Sequence, residues 1–196
     1  MNARGIGGNY TALESYYVQR LLTLVQSLGK TPIGWQEIFD NGLNLTPETL
    51  VHVWKNPFAA GQLELARATA AGKKVLLSSG LYLNYISYGP VWEDAYIVDP
   101  QNFTGTAAQK DLVMGGEFAL WGEYIDATNL IGRGFPMGCA VGERLWSPAG
   151  IISLSDARVR LGGHSCRFIA RGIPAEPPSG PSSCDVEWPF TYNPPF

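Results

Sequence analysis

The chain has 196 residues, 45% of them hydrophobic and 16% charged, with a net charge of −3. That is the make-up of one globular domain, short of the roughly 250 residues of a complete eight-fold βα barrel. Its 14 Lys and Arg are dispersed, which excludes the concentrated basic patch that nucleic acid or an anionic membrane surface requires. No apolar run reaches the roughly 18 residues of a membrane span, and Met1–Gly8 has no apolar leader.

In chain order, Thr11-Ala12-Leu13-Glu14 has the form of a capping box, and Leu13, Tyr17, Leu21, Val25 and Leu28 follow at helical spacing until Gly29. This predicts a helix over 11–28. Pro32-Ile33-Gly34-Trp35 and Leu50-Val51-His52-Val53-Trp54 read as short buried strands separated by a turn-rich stretch. The segment 59–71 is a run of good helix formers closed by Gly72, and Lys74–Ser78 is a third strand. A long insertion over 80–116 is expected to be irregular with short helical turns, the kind of length that usually has a function. Glu117-Phe118-Ala119-Leu120-Trp121 is the predicted fourth strand, followed by helices at about 136–147 and 153–171. Strands alternating with helices predict an α/β fold with a parallel sheet and right-handed crossovers. The tail from Pro174 is Pro/Ser-rich and is expected to be irregular.

Trp35-Gln36-Glu37, Trp54, Tyr82-Leu83-Asn84 and Trp121-Gly122-Glu123 each fall where a strand runs out. In a βα barrel those ends converge on the open face, where flat aromatic rings and a few hydrogen-bonding acids suit a pyranose. A single Trp at a strand end is more often a core residue than a ligand wall, Tyr82 alone is equally compatible with a half-buried strand aromatic, and Glu123 with a helix cap or a salt bridge to Arg144. Glu143-Arg144 has the look of a structural ion pair, and Glu37 and Asp40 follow Trp35 in one loop. Cys166 and Cys184 bracket a Pro/Ser/Gly-rich loop, where a bridge would stabilise by about 3 kcal/mol; three reduced thiols in a reducing compartment are the alternative. Cys139 reads as a buried free thiol. His and Cys occur at no ligand spacing, so neither a metal nor a cofactor is expected. Asn9, Asn44 and Asn102 open Asn-x-Thr sequons in polar stretches and are candidate glycosylation sites. The chain carries no hydrolase nucleophile elbow, phosphate-binding loop or dinucleotide fingerprint.

Taken in order, residues 34–40, Val53-Trp54-Lys55, residues 82–89, residues 115–124 and residues 140–147 closely resemble the C-terminal half of eukaryotic β-N-acetylhexosaminidases of glycoside hydrolase family 20. The resemblance runs from about residue 1 to 184. It implies a partial (β/α)8 TIM barrel, about strands five to eight, over residues 1–173, with a tail over 174–196 tied back by Cys166–Cys184. It further implies hydrolysis of terminal N-acetylglucosamine or N-acetylgalactosamine by substrate-assisted retention through an oxazolinium ion. Carried over, Trp35, Trp54 and Trp121 match the acetamide-pocket and ring-stacking tryptophans, and Tyr82 the tyrosine that hydrogen-bonds the attacking carbonyl oxygen. Asn84 and Glu123 match residues that grip hydroxyls at the far edge of the sugar.

The family's Asp-Glu pair and substrate-clamping Arg would lie upstream of residue 1, and Glu93-Asp94 stands in the wrong loop to replace them. Asn84-Tyr85 matches neither the Asn-Arg of α-type subunits nor the Asp-Leu of β-type subunits. The implied partners are N-acetylhexosamine-terminated glycans and a like or unlike hexosaminidase subunit, in a lysosomal or secreted setting. The expectation is a chain that supplies the sugar pocket and is inactive alone. The alternative is a non-catalytic sugar-binding or subunit-interaction fragment.

Overall fold

A computed structural model describes residues 5–180 and 184. The Pro/Ser-rich tail expected beyond Pro174 lies outside the described residues except for 174–180 and Cys184. The chain forms two compact units, one from the described residues of 1–79 and 100–116, the other from 80–99 and those of 117–196.

The first unit opens on α1 (Tyr10–Ser27). Its N-cap is Asn9, whose side chain accepts from the backbone of Ala12, and not the expected Thr11. A carboxamide two residues earlier satisfies the amide of Ala12, one of the free donors of the first turn, so the helix starts sooner than expected. There follow β1 (Ile33–Trp35), α2 (Glu37–Asp40), β2 (Leu50–Val53), α3 (Phe58–Ala70) and β3 (Lys74–Leu77). Gly29 and Gly72, just past α1 and α3, have φ of +67° and +72°, left-handed positions that only glycine adopts without strain.

The fourth strand is not where propensity put it. β4 is Val113–Gly116, preceded by the short α4 (Trp92–Tyr96, in the second unit) and α5 (Ala107–Lys110). It pairs with β3 through Val75–Val113, Leu76–Gly115 and Leu77–Gly116, with a bulge that Gly115 accommodates at φ +137°. The expected strand 117–121 survives only as one bridge, Tyr82 to Ala119. Aromatic content favoured 117–121, but strand pairing is decided by which backbone runs beside β3, and there small glycines fit.

The four strands form a parallel sheet in the order β1-β2-β3-β4. Val51, Val53, Val75 and Leu77 are fully buried and share one face, with Leu65 and Ala68 of α3 also fully buried. α3 packs closely because Gly61 has no Cβ: one placed there would stand 2.6 Å from Ser79 Oγ. The other face of the sheet carries Ile33, Trp35, Leu50, His52 and Leu76.

The second unit contains α4, α6 (Leu130–Gly134), α7 (Met137–Trp146) and α8 (Leu154–Ala170) around Leu81, Leu83, Trp92, Tyr96, Met137 and Val141. Two helices were expected at 136–147 and 153–171, and α7 and α8 occupy those positions. The stretch expected to be an irregular insertion holds a core helix, since Trp92 of α4 is fully buried and donates from Nε1 to the Pro178 carbonyl at 2.6 Å. Glu143 and Arg144 are not paired with each other. Neighbours on a helix point about 100° apart, so Glu143 meets Arg160 and Tyr96 while the buried Arg144 donates to the carbonyls of Val98 and Ala149 and faces Asp99. Cys166 of α8 is joined to Cys184 with a Cα–Cα separation of 5.4 Å, and Cys139 is a half-buried free thiol.

Candidate functional site

In the first unit the site is built by register. Trp35 closes β1 directly opposite His52 of β2, and their rings stack at 4.6 Å with 21° between planes. Trp54, two residues on from His52, falls on the same side of the strand. Its indole meets Trp35 edge-on at 6.2 Å and 73°, an arrangement favoured by the ring quadrupoles. Trp35 remains 42% exposed, so the pair presents an apolar face that is not covered by its own unit.

Polar groups behind the indoles fix them. Gln36 Oε1 accepts from the backbone amides of Trp54 and Lys55 at 3.2 and 3.1 Å, and Trp54 Nε1 donates to Glu37 at 3.1 Å. Burial pushes the Glu37 carboxyl up, but hydrogen bonds from Trp54, its own backbone and Lys55 outweigh it and leave the group below the usual carboxylate range. Asp40 is held by Lys55 at 3.0 Å and by Arg67. Glu37 therefore braces the indole of Trp54 directly, and Asp40 holds Gln36 and Lys55 beside it.

A pH dependence follows. A carboxyl whose folded pKa is depressed contributes stability above its unfolded value, about 4.5, and loses it as pH falls through the lower folded value. Acidification below about pH 4.5 is expected to alter Trp54 fluorescence while the fold persists, and Glu37→Gln is expected to remove that transition. An unchanged titration in the Gln variant would show that Glu37 does not set the indole.

In the second unit, Leu81 and Leu83 are fully buried, so alternation sends Tyr82 and Asn84 to the opposite side. Tyr82 bridges Ala119 and is half-buried, and its ring lies 5.6 Å from that of Tyr85. Asn84 is 7% exposed, and its Oδ1 has no hydrogen-bond partner among the described residues. Arg133 secures the following loop by donating to the carbonyls of Leu83 and Tyr85 at 3.0 and 2.8 Å. Trp121 is 45% exposed and Glu123 is exposed. The structure thus gathers Trp35 with Trp54 in one unit, and carries Tyr82, Asn84, Trp121 and Glu123 in the other.

Gln36 and His52 were not singled out in the sequence. Their signal was faint: a Gln directly after the strand-end Trp, and a His whose alternation with Trp54 shows its side only once the register is known. A cleft of about 470 Å³ between α4, α7 and α8 is not this site. Its charged groups satisfy one another, Tyr96 and Arg160 on Glu143 and Arg167 on His164, and burial raises the Cys139 thiol. Among the described residues no cluster of three His, Cys, Asp or Glu is placed to hold a metal ion, and no helix is long and apolar enough to cross a membrane.

Residues 1–149 match the family model described as glycosyl hydrolase family 20, catalytic domain. The chain is 49% identical over 177 residues to the Rattus norvegicus protein named beta-hexosaminidase subunit beta, covering 90% of this chain and 33% of that one. It is 43% identical over 189 residues to the Bos taurus beta-hexosaminidase subunit alpha, covering 96% and 36%. It thus spans about a third of the length of the curated relatives it matches. Among solved structures it is similar to the Flavobacterium johnsoniae chitobiase, with a TM-score of 0.73 and 28% identity over 88% of this chain and 26% of that one. It is also similar to the Streptomyces plicatus N-acetyl-beta-hexosaminidase in complex with Thio-NAglucal, with a TM-score of 0.71 and 26% identity over 89% and 38%. A parallel sheet with aromatic strand ends, a catalytic-domain match over three quarters of the residues and near-half identity to hexosaminidase subunits lead to one assignment: the chain belongs to glycosyl hydrolase family 20.

Proposed function

We propose that this chain is the sugar-pocket portion of a β-N-acetylhexosaminidase, corresponding to about strands five to eight of a (β/α)8 barrel. The observation that carries the reading is the register-built Trp35–Trp54 pair at two strand exits, half-open and braced from behind by Gln36 and Glu37. Edge-on indoles form a corner that accepts the apolar face of a pyranose or the methyl of an acetamide.

In the reaction proposed, the substrate's acetamido oxygen bonds to the anomeric carbon as the glycosidic C–O bond breaks. The leaving oxygen takes a proton from an acid, and water then opens the oxazolinium ring with retention. Tyr82 would hydrogen-bond the attacking carbonyl oxygen, Trp121 would wall the pocket, and Asn84 and Glu123 would take sugar hydroxyls. The buried Asn84 Oδ1, without a partner among the described residues, supports that role because a buried acceptor gains most from a donor hydroxyl. The Asp-Glu pair is supplied from outside these residues. The partners are N-acetylhexosamine-terminated glycans and a like or unlike hexosaminidase subunit. A lysosomal or secreted setting is supported by the disulfide and by exposed Asn9, Asn44 and Asn102.

The test is binding. N-acetylglucosamine is expected to quench tryptophan fluorescence saturably, glucose to bind more than about tenfold more weakly for want of the acetamide, and Trp54→Ala to lower affinity by about tenfold or more. Equal response to both sugars would sink the reading. The second reading, a non-catalytic interaction fragment, is favoured by one feature, the exposed apolar residues Tyr10, Tyr17, Leu21 and Leu24 of α1 with its C-cap Leu28.

A further inference from the structure

Asn84 stands in a stretch, 83–87, that belongs to no helix or strand. A backbone outside regular structure keeps its shape only where other groups take up its carbonyls and amides. Arg133 of α6 does so on both sides of Asn84: one guanidinium nitrogen, Nη2, donates to the Leu83 carbonyl at 3.0 Å and to the Tyr85 carbonyl at 2.8 Å. The other terminal nitrogen, Nη1, faces the Glu176 carboxylate at 3.7 Å. The guanidinium therefore cannot swing off the stretch without also leaving its counter-ion.

α6 is itself held at both ends. Its N-cap Asn129 accepts on its side chain from the Asp126 amide at 2.9 Å and donates to the Tyr124 carbonyl at 2.8 Å. Past the other end, the Glu176 amide donates to the Phe135 carbonyl at 3.0 Å. One short helix thus ties the Asn84 stretch to the turn that follows Glu123 and to the segment 174–180.

Packing alone does not call for this clamp. Asn84 is 7% exposed, and its Oδ1 has no hydrogen-bond partner among the described residues. A buried acceptor left unmade is costly, and an unladdered backbone would relieve the cost by releasing the side chain to water. With the carbonyls before and after it both held, Asn84 stays in place as an acceptor for a hydroxyl.

We propose that Arg133 is a positioning residue of the sugar pocket: its grip on the Leu83 and Tyr85 carbonyls fixes the Asn84 carboxamide for a sugar hydroxyl, and so sets affinity through that hydroxyl and not through the acetamide. The proposal rests on the sugar-pocket reading above.

The experiment measures tryptophan fluorescence of the full chain with N-acetylglucosamine and its monodeoxy analogues. Asn84→Ala identifies the hydroxyl concerned, because the analogue that lacks it should bind the parent and this variant alike. Arg133→Ala is expected to weaken N-acetylglucosamine by about tenfold, the worth of one good hydrogen bond, to leave the affinity for that analogue unchanged, and to add less than about twofold on top of Asn84→Ala. Hydrogen exchange over 83–87 should quicken by about tenfold or more while α7 and α8 keep the protection of the parent. Arg133→Lys covers the case of an Ala variant that does not fold: it retains a cation for Glu176, but its single nitrogen cannot serve that acid and both carbonyls, so the same hydroxyl-specific loss is expected. Equal losses toward the sugar and all its analogues, full additivity with Asn84→Ala, an Asn84→Ala variant with the parent's affinity for every sugar, or unchanged exchange over 83–87 would each overturn the proposal. A parent chain that binds none of these sugars fails the sugar-pocket reading and the proposal with it, whereas a parent that binds beside an Arg133 variant that binds equally well fails the proposal alone.

Discussion

Assayed alone with a chromogenic N-acetylglucosaminide, the purified chain is expected to release aglycone at least about 10²- to 10⁴-fold more slowly than a full-length family 20 enzyme, the usual effect of a missing general acid. A general acid must hold its proton near neutrality, which requires a carboxyl with raised pKa at the reacting oxygen. The two acids beside the Trp35–Trp54 pair do not meet that demand. Glu37 sits below the usual range under Trp54 and Lys55, and Asp40 is paired with Lys55 and Arg67. The carboxyls raised by burial are Glu64, on α3 against Arg67, and Glu176, near Arg133. Both already face a guanidinium, and neither stands at a strand exit. The deficit should reside in turnover, with sugar binding retained. Vigorous release with a bell-shaped pH profile that Glu123→Gln abolishes would put the acid inside this chain and defeat the argument.

Trp92→Ala is expected to destabilise the second unit by about 3–5 kcal/mol, the range for deleting a buried aromatic. Trp92 is fully buried, meets Tyr96 edge-on at 5.9 Å, and its Nε1 satisfies the Pro178 carbonyl. Truncation would leave a cavity and strip that carbonyl of its partner, and for a chain of this size the melting temperature should fall by about 10 °C. Trp92→Phe separates the two effects. It keeps most of the volume and removes the donor, for a smaller loss of about 1–3 kcal/mol. Thermal unfolding by circular dichroism measures both; an Ala variant that melts with the parent would mean that α4 is not part of the core.

The local rules acted where they were strong. Short β-branched runs ending in Trp announced β1 and β2, glycines at left-handed positions closed α1 and α3, and helical spacing marked α7 and α8 within a residue or two. The ordered motifs around Trp35, Trp54, Tyr82 and Trp121 were enough to indicate the family from the residues alone. Side-chain partnership was not legible in this way. That Glu143 chooses Arg160 over Arg144 and that Glu37 braces Trp54 depend on what other elements bring within hydrogen-bond reach.

The chain's own order of residues determined which segments become helix or strand and which aromatics stand at strand exits, because periodicity and turn chemistry act over a few neighbours. Tertiary structure alone decided that Val113–Gly116 pairs with β3 in preference to the more strand-like 117–121, that Trp35 meets His52 across the register, and that the apolar side of α1 faces outward. These are long-range outcomes. Backbone pairing and burial are settled by the element that comes to lie alongside, and no local pattern encodes that neighbour.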